Sequence, residues 1–237
     1  MSRILLVEDT ASLAELFAAA VETRLGHSVA VCFAVEDVDD VLLRGPFDLA
    51  IVDLSFSHER ATGLDALASI HQSRPETILA IMTQGDGHVA GVLRDAWDLL
   101  PIATVISKTA PVDYQLRMIS EVLDTGDSPV DPAIQPLLPA QRNPARRARF
   151  GKLIQHQGHA KVWRALMDDS ADATYKHLAD ATGLKLNTVK NYRSQLLSEL
   201  RVHGLADPSL REMQDFAWRC RAFLRPYVEA SLGEPPK

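Results

Sequence analysis

Five short apolar runs, at 4–7, 29–34, 49–54, 78–82 and 104–106, constrain this chain more than any other feature. They are rich in β-branched residues and mostly do not alternate apolar with polar. That is the pattern of strands covered on both faces in a parallel sheet. Helical patterns lie between them. Leu13, Leu16, Phe17, Ala20, Val21 and Leu25 form one apolar stripe, and Gly26 follows where that helix can end. Further helices are predicted near 36–43, 64–72, 88–97 and 112–123. Five strands alternating with five helices predict an α/β fold, a five-stranded doubly wound parallel sheet over residues 1–124.

The pattern stops at residue 124. Pro129, Pro132, Pro136, Pro139 and Pro144 follow, with Gly126, Asp127 and Ser128, and Arg142, Arg146, Arg147, Arg149 and Lys152 form a basic run. Proline fixes φ and removes a donor, so 125–148 reads as an extended, semi-stiff linker. An all-α domain is expected over 149–230, with helices near 158–168, 174–182, 187–200 and 208–228. Charge divides in the same way. Residues 1–140 carry 8 Lys/Arg against 21 Asp/Glu, a net −13, and residues 141–237 carry 17 against 10, a net +7. A positive domain tethered to a negative one points to a nucleic-acid partner for the positive half. No apolar run approaches the roughly 18–20 residues of a membrane span, and the N-terminus has no cleavage-site pattern. Cys32 and Cys220 lie far apart without metal-ligand spacing and read as buried or half-buried thiols of a reducing compartment. The expectation is a cytoplasmic protein with no membrane partner. His156 and His159 have no Cys or carboxylate at ligand spacing and read as surface histidines. Trp163 and Trp218 read as core.

Open α/β sheets place their sites at the carboxyl ends of the strands. The first predicted strand ends in Glu8 and Asp9, the third at Asp53, the fourth at Thr83, and the fifth at Lys108 after Ser107. Three carboxylates at one edge repel each other unless a cation sits among them. Mg²⁺ binds a few carboxylates while keeping water and phosphate oxygens. A lysine is a point charge suited to a phosphoryl oxygen, and a threonine hydroxyl can donate to another.

This constellation resembles the receiver family of two-component response regulators, over about residues 2–124. The resemblance implies that Asp53 takes a phosphoryl group from a sensor histidine kinase. It implies that Glu8, Asp9, Asp53 and the Ser55 carbonyl hold Mg²⁺, that Lys108 pairs with the phosphoryl group, and that Thr83 moves toward it. Such a domain assists its own phosphoryl transfer and dephosphorylation and is otherwise no enzyme. The chain departs from the family pattern near the pocket. The glycine expected about eight residues after Asp53, following a proline, is Gly63, two residues late and without that proline. Lys108 is followed by Thr109 rather than proline, Thr83 by Gln84 rather than a small residue, and Val105 stands where an aromatic residue is common. These changes bear on how phosphorylation is read out.

Residues 175–194 carry a second pattern. Ala179 and Gly183 supply the small residue and the turn that two closely crossing helices need. Leu178, Leu184, Leu186, Val189 and Tyr192 supply apolar contacts, and Asn187 or Thr188 can cap the second helix. The opposite face carries Thr188, Lys190, Asn191, Arg193, Ser194 and Gln195, side chains suited to base edges and phosphates. Over about 160–204 this resembles the LuxR-like helix-turn-helix output domain, though sigma-factor DNA-binding modules read similarly. The resemblance implies DNA binding, with Lys190 and Asn191 in the groove and Lys185, Thr188 and Arg193 near phosphates, Ser194 sharing their face. The apolar stripe of 208–228 is expected to pack on its own domain or to form a dimer seam. Two functions follow. One is a DNA-binding regulator, dimeric on paired half-sites, in which phosphorylation of Asp53 controls transcription. The other is a phosphorylation-independent DNA-binding regulator whose receiver serves for dimerisation or protein interaction.

Overall fold

A computed structural model describes residues 1–56, 62–87, 89–127, 129–168 and 173–234. Part of the longer loop after Asp53, the start of the helix expected from 88, and Ser128 lie outside the described residues. The chain divides into two compact units, Met1–Arg142 and Asn143–Lys237.

In the first unit the elements are β1 (Arg3–Val7), α1 (Ala11–Leu25), β2 (Ser28–Cys32), α2 (Val38–Leu42), β3 (Leu49–Asp53), α3 (Gly63–Ser73), β4 (Ile78–Thr83), α4 (Ala90–Leu99), β5 (Ile102–Ser107) and α5 (Val112–Thr125). The strands pair in parallel in the order β2-β1-β3-β4-β5. Every residue of the central β3 is buried, so its apolar run has no polar alternation. Ile4, Leu6, Leu49 and Ile51 join Phe17, Val21, Ile119 and Val122 in one core. Their neighbours Leu5, Val7, Ala50 and Val52 point to the other face, by the period of two along a strand, and are fully buried there. Helix α1 ends at Gly26, whose φ of 70° is the left-handed cap that only glycine adopts without cost. The order reverses between β1 and β3, the switch point where open sheets of this type leave a crevice.

The Pro-rich segment is not a free linker. Residues 129–142 fold back on the first unit. The Asp131 amide donates to the Val105 carbonyl at 2.9 Å, and the Thr104 hydroxyl donates to the Pro129 carbonyl at 3.1 Å. Ile134 and Leu138 are buried. The physical reason lies in β5, an edge strand whose outer hydrogen-bonding groups need partners. Thus the units divide at Arg142 rather than at residue 124.

The second unit contains α6 (Ala145–Ala148), a 3₁₀ turn at Phe150–Leu153, α7 (Gln157–Asp168), α8 (Tyr175–Thr182), α9 (Leu186–Val202), α10 (Leu210–Arg219) and α11 (Arg221–Leu232). Phe150, Trp163 and Phe216 are its largest fully buried side chains. Phe150 stacks on Phe216 with ring centroids 6.0 Å apart, and the Trp163 indole donates to the Leu153 carbonyl at 3.0 Å. Arg149 makes a two-pronged ion pair with Glu199. Two expectations need correction. The single helix over 208–228 is two, broken at Cys220 (φ −103°, ψ 18°), which lets both pieces lie against α7. Met213, Phe216, Ala217, Cys220, Phe223 and Leu224 are all buried in this way, so the stripe is consumed by its own unit. His159 is buried, not at the surface. It stacks on His156 with centroids 4.0 Å apart and meets Gln195 Oε1 at 3.3 Å. Burial, aided by the neighbouring His156, lowers its imidazole below the ordinary range.

Candidate functional site

Strand ends bring the five sequence-predicted pocket residues together. Glu8 and Asp9 follow β1, and Asp53 and Thr83 close β3 and β4. Lys108 follows β5, its amide held by the Thr83 carbonyl at 2.8 Å. Carboxylate oxygens of Glu8, Asp9 and Asp53 all lie within 4.8 Å of one another. Glu8 and Asp53 are buried, and Asp9 is half-buried. The Lys108 ammonium sits between two of them, 2.6 Å from Glu8 Oε2 and 2.8 Å from Asp53 Oδ2. The Thr10 amide donates to Glu8 Oε1 at 3.2 Å, which orients that carboxylate at the start of α1.

Titration follows from this crowding. Burial raises the Asp53 carboxyl above its ordinary value. The hydrogen bond and charge of Lys108 oppose the rise without cancelling it, and Glu8 adds to it. Burial acts to lower the Lys108 ammonium, but its hydrogen bonds to Asp53 and Glu8 outweigh that, and it ends raised. The Lys108 ammonium thus pairs with two of the three carboxylates. This oxygen-only donor set, its three carboxylates within 4.8 Å of one another, fits a hard divalent cation such as Mg²⁺.

Three further supports hold the pocket. Gly63 opens α3 directly against the Asp53 backbone, where a Cβ would lie 1.9 Å from the Asp53 carbonyl oxygen. The late glycine thus lies against Asp53 although it comes two residues later than expected. Thr62 and Asp65 form the capping box of that helix. Gln115, buried on α5, donates to the carbonyls of Ser107 (2.9 Å), Ala110 (3.1 Å) and Lys108 (3.3 Å). It pins the turn carrying Lys108, which lacks the expected proline. Thr83 is buried, and its hydroxyl accepts from the Gly85 amide at 3.3 Å. Val105, at the departed position, is fully buried.

In the second unit, α8 and α9 meet at Gly183, whose φ of 68° makes the left-handed turn. Val189, Leu196 and Leu200 of α9 face inward. Lys185, Asn187, Lys190, Asn191 and Ser194 are exposed, and Thr188 is half-buried. The Lys190 ammonium lies over the Tyr175 ring, 5.8 Å from its centroid. Arg193 differs from its neighbours. Its guanidinium donates to the Pro208 carbonyl at 2.6 Å and pairs with Asp207, so it ties α9 to the turn before α10. Nothing in the periodicity of α9 distinguishes Arg193 from Lys190, because its partners lie beyond the motif.

No protein-family model and no curated protein matches this sequence. Solved structures do match its fold. A two-component response regulator of the LuxR family from Aurantimonas sp. SI85-9A1 aligns with 20% identity, over 57% of this chain and 94% of its own, with a TM-score of 0.50. A structure of two RcsB dimers bound to two parallel DNAs aligns with 13% identity, over 97% of this chain and 98% of its own, with a TM-score of 0.51. The chain therefore shares its fold with response regulators, over 57% of its length with a LuxR-family member and over nearly all of it with RcsB.

Proposed function

We propose that the chain is a DNA-binding response regulator in which phosphorylation of Asp53 controls transcription. The observation that carries the proposal is the pocket itself: a buried Asp53 2.8 Å from Lys108, with Glu8 and Asp9 close enough to share a cation. Asp53 Oδ attacks the phosphorus of a kinase phosphohistidine, the P–N bond breaks, and the imidazole leaves. Glu8, Asp9, Asp53 and the Ser55 carbonyl would hold Mg²⁺, which supplies charge neutralisation for the transferring group. Lys108 orients the Asp53 carboxylate and pairs with a phosphoryl oxygen, and Thr83 donates its hydroxyl to another. The work of the pocket is positioning and electrostatic stabilisation.

The exposed face of α9 carries Lys190, Asn191 and Ser194, with Thr188 beside them and Lys185 at the helix N-cap, and is assigned to DNA. The net +7 of residues 141–237 supports this, as does the likeness to RcsB, whose dimers are seen bound to DNA. A homodimer on paired half-sites, a sensor histidine kinase as phosphodonor and a cytoplasmic location complete the reading. Among the described residues, no helix is long and apolar enough to cross a membrane. Treatment with acetyl phosphate and Mg²⁺ should add one phosphoryl group to the intact mass of the wild type. Equal labelling of Asp53→Asn would overturn the assignment.

A second reading, phosphorylation-independent DNA binding with the first unit used for protein interaction, is favoured by Val105. It is small and wholly buried, so it lacks the swinging side chain expected there. DNA affinity that does not change while the phosphoryl adduct forms would select this reading.

A further inference from the structure

The segment 129–142 is seated on one continuous face of the first unit. Its contacts run from the end of β5 to α4. At the β5 edge, Asp131 pairs through its amide with the Val105 carbonyl, and its Oδ2 accepts from the Ser107 amide at 3.4 Å. The other oxygen of Asp131 accepts from Ala133 at 2.8 Å, which closes a turn. That turn directs Ile134, 1% exposed, onto Gly85. A Cβ on Gly85 would lie 2.4 Å from Ile134 Cδ1, so the side chain occupies the space that the glycine leaves. Further along, Arg94 of α4 donates to the Leu137 carbonyl at 3.1 Å. Arg142 lies 3.6 Å from the Trp97 ring centroid and donates to the Ile102 carbonyl. A run this well satisfied is a bound strap, and it ends at the residue before the second unit begins.

The strap also reaches the immediate neighbours of the pocket. Gly85, on which Ile134 rests, gives its amide to the Thr83 hydroxyl. Ser107, whose amide Asp131 holds, directly precedes Lys108. Both groups assigned to meet a phosphoryl oxygen are therefore one step from the strap. Drawing the Thr83 side chain toward a phosphoryl oxygen would move the hydroxyl oxygen that accepts from the Gly85 amide, and with it the anchor of the glycine turn beneath Ile134.

Resting on the phosphoacceptor reading above, we infer that residues 129–142 are an intramolecular ligand of the β5–α4 face, docked while Asp53 is free and released when it is phosphorylated. Release converts a fixed strap into about 14 residues of tether, reaching roughly 45–50 Å when extended. It also uncovers the β5 edge and Gly85 for another occupant. The coupling is reciprocal, as any linkage between two binding events must be. A weakened strap therefore favours phosphorylation.

The test uses the full chain, with hydrogen exchange read by mass spectrometry over 129–142 and β5 while the intact mass reports the adduct. Untreated protein should protect the amides of Asp131, Ile134 and Leu137. With Mg²⁺ and acetyl phosphate they should exchange at least about 10-fold faster, as expected of a segment moved to the open end of the local stability range. Ile134→Gln should show the fast exchange without phosphodonor and a larger phosphorylated fraction at low acetyl phosphate. Gly85→Ala, which presses on Ile134 from below, should do the same, so a fold defect in either variant leaves the other. A phosphoryl adduct without any change in strap exchange overturns the coupling and leaves the phosphoacceptor reading standing. Absence of the adduct refutes that reading and the switch with it. Fast exchange over 129–142 in untreated wild type refutes the docked strap itself.

Discussion

Replacing Asp53 with Asn should stabilise the first unit at pH 7 in the absence of divalent cations. The magnitude follows from the pocket distances. Asp53 lies 2.8 Å from Lys108, an attraction of ~6 kcal/mol at an effective dielectric of about 20. Its oxygens lie within 4.8 Å of Glu8 and of Asp9, two repulsions of at least ~3.5 kcal/mol each on the same basis. The repulsions slightly exceed the attraction, and an amide also avoids the cost of burying a charge. Lys108 keeps Glu8 as its partner at 2.6 Å. The net expectation is a gain of about 1–3 kcal/mol. The sign of the pH dependence is set by the raised Asp53 carboxyl. A carboxyl raised in the folded state favours folding below its unfolded pKa, and that advantage is lost as pH rises through the folded value. The gap between Asp53→Asn and wild type should therefore open as pH increases above about 4. Millimolar Mg²⁺ should narrow it by stabilising the wild type alone. Hydrogen exchange in increasing urea, read on peptides from β1, β3 and β5, separates this unit from the other. A destabilised Asp53→Asn at pH 7 in EDTA would refute the electrostatic reasoning, and so would a gap that widens on adding Mg²⁺.

Further substitutions probe the remaining parts. Gly63→Ala normally helps a helix, but here the new Cβ meets the Asp53 carbonyl oxygen at 1.9 Å. Urea unfolding should show a loss of about 3 kcal/mol, the upper end of overpacking costs, and phosphoryl labelling should fall with it. Lys190→Ala should weaken DNA binding and reduce the salt slope by about 1, read by fluorescence anisotropy across salt concentrations. Arg193→Ala should instead leave that slope unchanged and cost about 1–2 kcal/mol of stability, because its guanidinium is committed to Pro208 and Asp207. Ser209→Ala removes the capping box of α10 and should cost about 1 kcal/mol in thermal unfolding.

Much of the fold and the pocket is legible in the residues. Buried parallel strands read as unbroken apolar runs, so the polar residue that ends each run marks the same sheet edge. That is why Glu8, Asp9, Asp53, Thr83 and Lys108 group together on the sequence alone. The break at Cys220 is not legible, because an apolar stripe continues at helical spacing through it and burial on α7 decides where the chain turns. The strap escapes the sequence for a related reason. Its four prolines describe a backbone that makes few hydrogen bonds of its own, and composition is silent about an edge strand that will pair with it. Arg193 and His159 show the same limit, since spacing does not mark their partners Asp207 and Gln195.

The capped β5 edge bears on how the first unit can be handled in isolation. A fragment ending at residue 124, where the strand–helix alternation stops, would expose the Val105 carbonyl and the Ser107 amide that Asp131 now satisfies. It would also bare the hollow above Gly85. Bare strand edges recruit one another. Such a fragment should oligomerise as its concentration rises, whereas one extended through Arg142 should stay monomeric under the same conditions. The stretch that composition marks as dispensable is then what keeps this sheet from growing.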